Sequence, residues 1–244
     1  MKLIIIIIAS FLFGISGNEL VLQMEDLPKP LDLKSNITLE IKKKKTKSLS
    51  FRSIVKDNGK KQIMWFTAPA TDKGIAFLKV EKENKSEDMR MWLPAFKKIR
   101  RISSKKKGDS FMGSDLSYED LYTRNKEEFS FKIIAEEELN NEIFYKLESI
   151  PNPNLKSEYS KHISWINKSN LIPIKEESYD KKGLLLKEKL FQYKKINEFW
   201  IVEKISVNNV QKKQSTKVKM ENIEINTNVN DNLFQEKNLK RLPF

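Results

Sequence analysis

Apolar side chains recur at every second position along most of this chain. Ile37, Leu39 and Ile41 alternate with polar residues, and Leu49, Phe51 and Val55 do the same before a Lys56-Asp57-Asn58-Gly59 turn. A period of two is the signature of a strand with one covered face. Ile63 to Phe66, ended by Pro69, and Ile75 to Val80, opened by Gly74, read as the next strands. Met89 to Leu93 and Phe96 to Ile102 form a pair across Pro94. The later half continues the habit at 129–134, 143–147, 162–166, 172–179, 184–193, 199–207 and 216–225, with Lys181-Lys182-Gly183 and Ile196-Asn197-Glu198 as turns. Counted conservatively, the pattern predicts roughly ten or eleven strands at the spacing of an antiparallel sheet.

Helix signals are few and short. Leu20, Val21, Met24 and Leu27 recur at helical spacing between Asn18, a candidate cap, and Pro28, a stop. Ser117 and Asp120 stand in a capping-box arrangement, residues 155–161 allow a turn of helix, and Asn230 or Asp231 caps a segment with Leu233, Phe234 and Leu239. Helices this short do not fold alone, so they must pack on the sheet. The pattern therefore predicts a mainly β, α+β fold. Its large antiparallel sheet tends to curl or close, with short helices on the concave side. If it curls without closing, the inner face is a hydrophobic trough that helices, a ligand or both must fill.

The first residues change the picture of where this sheet folds. Lys2 precedes an apolar run of about 13 residues, Leu3 to Ile15, followed by the small residues Ser16 and Gly17. This is the layout of a cleavable signal peptide over 1–17, and it is short of the roughly 20 residues a membrane span needs. An uncleaved anchor is the alternative. The chain has no cysteine, which excludes a lipid-attachment Cys, disulfides and Cys metal sites. Its formal net charge is +13. Such a balance points to nucleic acid or anionic lipid. Lys, Ile and Asn dominate together, as an AT-rich genome would produce, and export argues against nucleic acid. Compositional bias with modest attraction to anionic membrane surfaces is the reading retained.

The densest chemistry lies between Met91 and Leu121. It combines a Trp92-Leu93-Pro94 step, the basic run Lys97-Lys98-Ile99-Arg100-Arg101-Ile102, Lys105 to Lys107, and a loop bounded by Gly108 and Gly113. It ends in Met112-Gly113-Ser114-Asp115-Leu116-Ser117-Tyr118-Glu119-Asp120-Leu121. This signature resembles that of the outer-membrane lipoprotein-sorting family, the LolA/LolB-like proteins, with Leu116 where members carry an aromatic residue. Pro69 to Leu78, Ile150-Pro151, Tyr159, Trp165-Ile166 and Pro173 extend the likeness over nearly all of residues 18–244. The resemblance implies one half-barrel domain, an incomplete β-barrel with an α-helical lid over a hydrophobic cavity. It also implies a periplasmic carrier or chaperone that holds acyl chains of lipoproteins or other lipids for delivery toward the outer membrane. An inner-membrane transporter, an outer-membrane receptor and transient contact with a membrane surface are the partners this role implies. A non-carrier adaptor subunit of a membrane transporter and an exported lipid hydrolase using Ser114 are the rival readings.

Candidate site residues follow. Trp65, Phe77, Trp92, Phe96, Phe111, Phe131, Phe144, Trp165 and Trp200 either fill the sheet core or line a cavity, a choice the sequence leaves open. Leu93, Met112, Leu116, Tyr118 and Leu121 complete the candidate cavity and lid set. Gly108, Gly113, Ser114, Asp115, Ser117 and Asp120 are the candidate hinge and capping positions, glycine permitting backbone angles other residues avoid. The single histidine, His162, sits in a strand-like segment and reads as a plain strand residue. Ser114, Asp115 and His162 make only a weak triad hint. No phosphate loop, dinucleotide turn or histidine cluster is present, so the expectation is a non-enzyme with no cofactor and no metal.

Overall fold

The computed structural model describes residues 14–81, 88–103 and 106–241, so most of the expected signal peptide lies outside the described residues. The strands are β1 (Asp32–Lys42), β2 (Thr46–Lys56), β3 (Lys61–Ala68), β4 (Ala76–Val80), β5 (Asp88–Leu93), β6 (Lys98–Ile102), β7 (Phe129–Leu139), β8 (Glu142–Pro151), β9 (Tyr159–Asn167), β10 (Pro173–Asp180), β11 (Leu185–Ile196), β12 (Phe199–Asn209) and β13 (Gln214–Ile225). They form one 13-stranded sheet in the order β6-β5-β4-β3-β2-β1-β13-β12-β11-β10-β9-β8-β7, two or three strands more than the sequence count. Each paired neighbour is antiparallel, and β6 and β7 are the two edge strands. The sheet is curved and does not close into a barrel.

This topology dictates the lid. β6 and β7 are consecutive in the chain but lie at opposite edges of the sheet. The connection between them must therefore cross the inner face. It does so as loop and 3₁₀ turns at 119–121 and 126–128 rather than as the expected α-helices. We call residues 106–128 the plug. Residues 155–161, expected to be helical, instead lead into β9.

The one α-helix among the described residues, α1 (Gly17–Glu25), begins a residue before the expected start. Ser16, not Asn18, is its cap: Glu19 N donates to Ser16 Oγ at 3.2 Å, and Ser16 N donates to the Glu19 carboxylate at 2.8 Å. Leu20 of α1 packs with Leu147 and Ile166 on the inner face of β8 and β9. Gly17 makes this approach possible. A Cβ there would lie 2.6 Å from both the carbonyl carbon and the oxygen of Phe131. In protein that retains Ser16 and Gly17, Gly17→Ala is expected to push α1 off β7 and cost about 1–3 kcal/mol, read as a lower urea midpoint. An unchanged midpoint would mean that α1 does not sit there.

The two faces carry separate cores. On the inner face of β1–β5, Leu39, Leu49, Phe51, Phe66, Phe77 and Met89 are buried together with Phe111 and Tyr118 of the plug. The outer face of β2–β6 buries Ile54, Ile63, Trp65 and Leu78 beneath Val229, Phe234 and Leu239. The C-terminal 3₁₀ turns at 231–233 and 236–240 thus cover the outer face, not the concave side. Asp32 anchors this strap. Burial alone would raise its carboxyl, but it accepts from Val229 N, Thr227 Oγ1 and Thr227 N at 3.0, 2.8 and 2.8 Å, which together hold it below the ordinary range.

Candidate functional site

Strand register explains how the inner face changes character. Paired residues share a face, so Ile41, Thr216, Val207, Lys189, Glu176, Ser164 and Leu147 form one continuous inner row from β1 to β8. The row is apolar at both ends and charged over β10 and β11. A parallel row carries Lys187, Ser178, His162 and Ser149. The plug matches this division. Phe111, Met112, Leu116, Tyr118 and Leu121 cover the apolar part, while Asp120 and Arg124 reach into the charged part.

Asp120 is the centre of that charged part. Its carboxylate accepts from Lys189 Nζ at 2.5 Å, Lys187 Nζ at 2.8 Å, Tyr159 Oη at 3.0 Å, and the Ser117 backbone N and Oγ at 2.8 and 2.9 Å. Asp120 N donates back to Ser117 Oγ at 3.3 Å, so the capping box read from the sequence is present. Lys189 also meets Glu176 at 3.1 Å, and Arg124 clamps Glu176 with both terminal nitrogens at 2.5 and 2.9 Å. Such two-pronged guanidinium contacts are among the stronger polar links in proteins. Burial acts to raise the Asp120 carboxyl, but Lys189 and Lys187 outweigh it and hold it far below its ordinary value. Burial likewise opposes the Glu176 charge, and Arg124 and Lys189 overcome it.

His162 is part of this cluster rather than an isolated strand residue. It is 1% exposed and faces Ser178 Oγ at 2.9 Å, Arg124 at 3.3 Å and the Tyr159 ring. Burial first, and then Arg124 and Lys189, push its pKa well below 6.5, against the pull of Glu176 and Asp120. The folded protein thus keeps His162 neutral while the unfolded chain takes up a proton. Stability must therefore fall as pH drops below about 6.5, at up to about 1.4 kcal/mol per pH unit from this group. His162→Gln is expected to flatten that part of the melting profile between pH 7 and pH 5. An identical slope in both proteins would contradict the assignment.

The remaining predicted site residues separate by face. Phe77 and Leu93 meet the plug on the inner face. Trp65 and Trp92 lie on the outer face, where Trp65 Nε1 donates to Asn238 O at 3.2 Å. Phe144 and Trp165 also lie outside, with Lys175 and Lys146 stacked over the indole at 4.2 and 4.6 Å. Phe131 belongs to the group beneath α1. Phe96 is 70% exposed on the turn before β6, and Trp200 is 36% exposed on β12. Gly113 takes a positive φ of 81° beside Met112 at 52°, a turn that suits glycine. Gly108 lies tight against Glu158. Ser114 Oγ donates to Phe111 O at 2.7 Å, and Asp115 exchanges hydrogen bonds with Thr216 at 2.8 and 2.9 Å. These contacts tie the loop together and onto β13.

Plug side chains fill the apolar inner face, where Phe111 and Tyr118 are buried. The cleft beside Arg124, Tyr159 and His162 has a cavity volume of about 40 Å³, room for a few waters. Sites for drug-sized ligands are about 300–1,000 Å³. Within the plug, backbone bonds run from Phe111 N to Leu116 O, Tyr118 N to Asp109 O and Glu119 N to Lys107 O, and at its two ends Lys106 N donates to Ser103 O and Asn152 N donates to Glu128 O. Its links to the described strands are side-chain mediated, such as Lys79 Nζ to Leu121 O at 2.7 Å. It can thus leave the inner face without opening the sheet ladder.

The curved open sheet crossed on its inner face by a plug is a LolA-like fold, shared with several solved structures. A family model described as "-like: Uncharacterized protein" matches residues 58–241, more than half of the chain, and the chain belongs to that family. A domain described as an outer membrane lipoprotein-sorting protein from Vibrio parahaemolyticus is 29% identical with a TM-score of 0.87, over 92% of this chain and 98% of that one. A DUF1329 family protein from Desulfovibrio piger is 28% identical with a TM-score of 0.86, over 91% and 97%. A LolA superfamily protein from Nitrosomonas europaea shares the fold at 17% identity and a TM-score of 0.74, over 92% and 99%. No curated protein sequence matches the chain.

Proposed function

We propose that this protein is a non-enzymatic periplasmic carrier. It holds the acyl chains of lipids or lipoproteins on its inner face and delivers them toward the outer membrane. The observation that carries this reading is the inner apolar face of β1–β5, covered by a segment whose backbone lies outside the sheet ladder. The name borne by the Vibrio relative supports the same role. In this reading an inner-membrane transporter loads the carrier and an outer-membrane receptor unloads it.

Affinity should be middling. Each buried CH₂ contributes about 0.8 kcal/mol, so ten give roughly 8 kcal/mol, a micromolar constant before ordering costs. Displacing the plug draws on that sum, so release needs only its return or a better-binding receptor. Lipid extraction of the purified protein followed by mass spectrometry should find acyl species. The delipidated protein should then bind a fluorescent fatty-acyl probe. Absence of both overturns the reading.

The filled inner face favours a second reading, an adaptor subunit whose trough is permanently occupied by its own plug. The hydrolase reading finds no support in Ser114, whose hydroxyl contacts are the Phe111 and Leu116 backbone groups. His162 faces a different set of groups.

A further inference from the structure

We propose that Lys187, Lys189 and Tyr159 form a binding site for the anionic headgroup of a lipid, which Asp120 occupies when the plug is closed. This rests on the carrier reading and adds the class of cargo. Of the five donors to the Asp120 carboxylate, two come from Ser117 of the plug itself and three from the sheet. The three sheet donors are 5%, 4% and 2% exposed. When the plug leaves, Asp120 and Arg124 leave with it. The sheet then retains Lys187 and Lys189 against Glu176, one net positive charge among the neutral polar side chains Ser164, Ser178 and His162 and beside the apolar face of β1–β5. Covering that charge with a lipid is costly unless the charge is paired, and the lipid's own phosphate or carboxylate restores the balance Asp120 gave.

The surroundings suit an amphiphile. From β11 the inner row passes to Val207, then on through β13 and β1 to Leu39, Phe66 and Phe77 on neighbouring strands. Six strand spacings separate β11 from β4, about 29 Å at about 4.8 Å each, a track for an extended acyl chain. The head would sit at the lysines and the tail would replace Phe111, Met112 and Leu116. Headgroup and Asp120 compete for one site, so an anionic lipid opens the plug as it binds.

The test titrates the delipidated protein with phosphatidylglycerol and phosphatidylcholine carrying the same acyl chains, and with inorganic phosphate alone. Phosphatidylglycerol is expected to bind at least about tenfold tighter than phosphatidylcholine, the scale of one charge-assisted hydrogen bond. Inorganic phosphate is expected to compete only at millimolar concentration. Lys187→Gln should bring the ratio of the two lipids close to one. Should that variant not fold, Tyr159→Phe, which deletes one donor, should still lower the ratio. Equal binding of both lipids by the unmodified protein overturns the headgroup site and leaves the carrier reading standing. Phosphate binding as tightly as phosphatidylglycerol overturns the lipid assignment in favour of a free anion. Binding of neither lipid, even by Phe111→Ala, overturns the carrier reading as well.

Discussion

Asp120→Ala is expected to destabilise the closed protein by about 3–5 kcal/mol, because removing one partner of a buried pair strands the other charges. Here two lysines lose their shared carboxylate: Lys189 keeps Glu176, which Arg124 already clamps, and Lys187 loses the carboxylate it is paired with. For a chain of this size the loss corresponds to a melting temperature lower by about 10 °C. The unmodified protein should resist acid at this latch. Asp120 and Glu176 have folded values below the ordinary carboxylate range, so their contribution is complete above about pH 4.5 and is lost only as pH falls through those depressed values. Acid sensitivity between pH 7 and 5 should instead come from His162. If Asp120→Ala melts within 1 °C of the unmodified protein, the latch is not a stabilising feature.

Phe111→Ala is the second large effect, and it should act in two directions. Phe111 is 2% exposed, with Phe77, Tyr118 and Phe66 ring centroids at 5.5, 5.8 and 6.2 Å. Truncating a buried phenylalanine costs about 3–5 kcal/mol through lost transfer energy and a residual cavity. The whole of that loss falls on the closed arrangement, since Phe111 leaves the core when the plug moves. Weakening the closed state enlarges the fraction competent to bind. The variant should therefore be less stable without ligand yet bind a fatty-acyl probe at least about tenfold tighter. Lower stability accompanied by unchanged or weaker binding would show that the plug does not compete with the ligand.

The strands were legible because their alternation reports a covered face. The turns at Asp57-Asn58-Gly59, Gly183 and Asn197 adopt the positive φ their residue types suggest. The order of the strands was not legible, nor was the fact that β6 and β7 become opposite edges, because pairing depends on contacts far apart in sequence. Alternation also misleads at β11. Leu184 and Leu190 are 58% and 53% exposed, while Lys187 and Lys189 point inward. An apolar-in rule inverts this strand, and the charged cluster is hidden by that inversion. The signal was the coincidence of Glu176, Ser178, Lys187, Lys189 and His162 at alternating positions of three consecutive strands. The aromatic set failed to sort for a related reason. Trp65 lies between Met64 and Phe66, and a run apolar at every position does not say which side faces the plug. The capping pair Ser117 and Asp120 was readable, since its bonds span three residues. The partners Lys187 and Lys189 lie 67 and 69 residues away and were not.

The central claim is that the plug must leave the inner face for an acyl chain to enter. Asp115 and Thr216 hold each other across the plug and β13, and the chain has no cysteine of its own. The double variant Asp115→Cys/Thr216→Cys can therefore form only one intramolecular cross-link, and the oxidised monomer is the form to test. Binding of a fatty-acyl probe by the oxidised and reduced forms is the decisive comparison. Loss of binding on oxidation and its return on reduction is the predicted result. Equal binding by both forms would contradict the account.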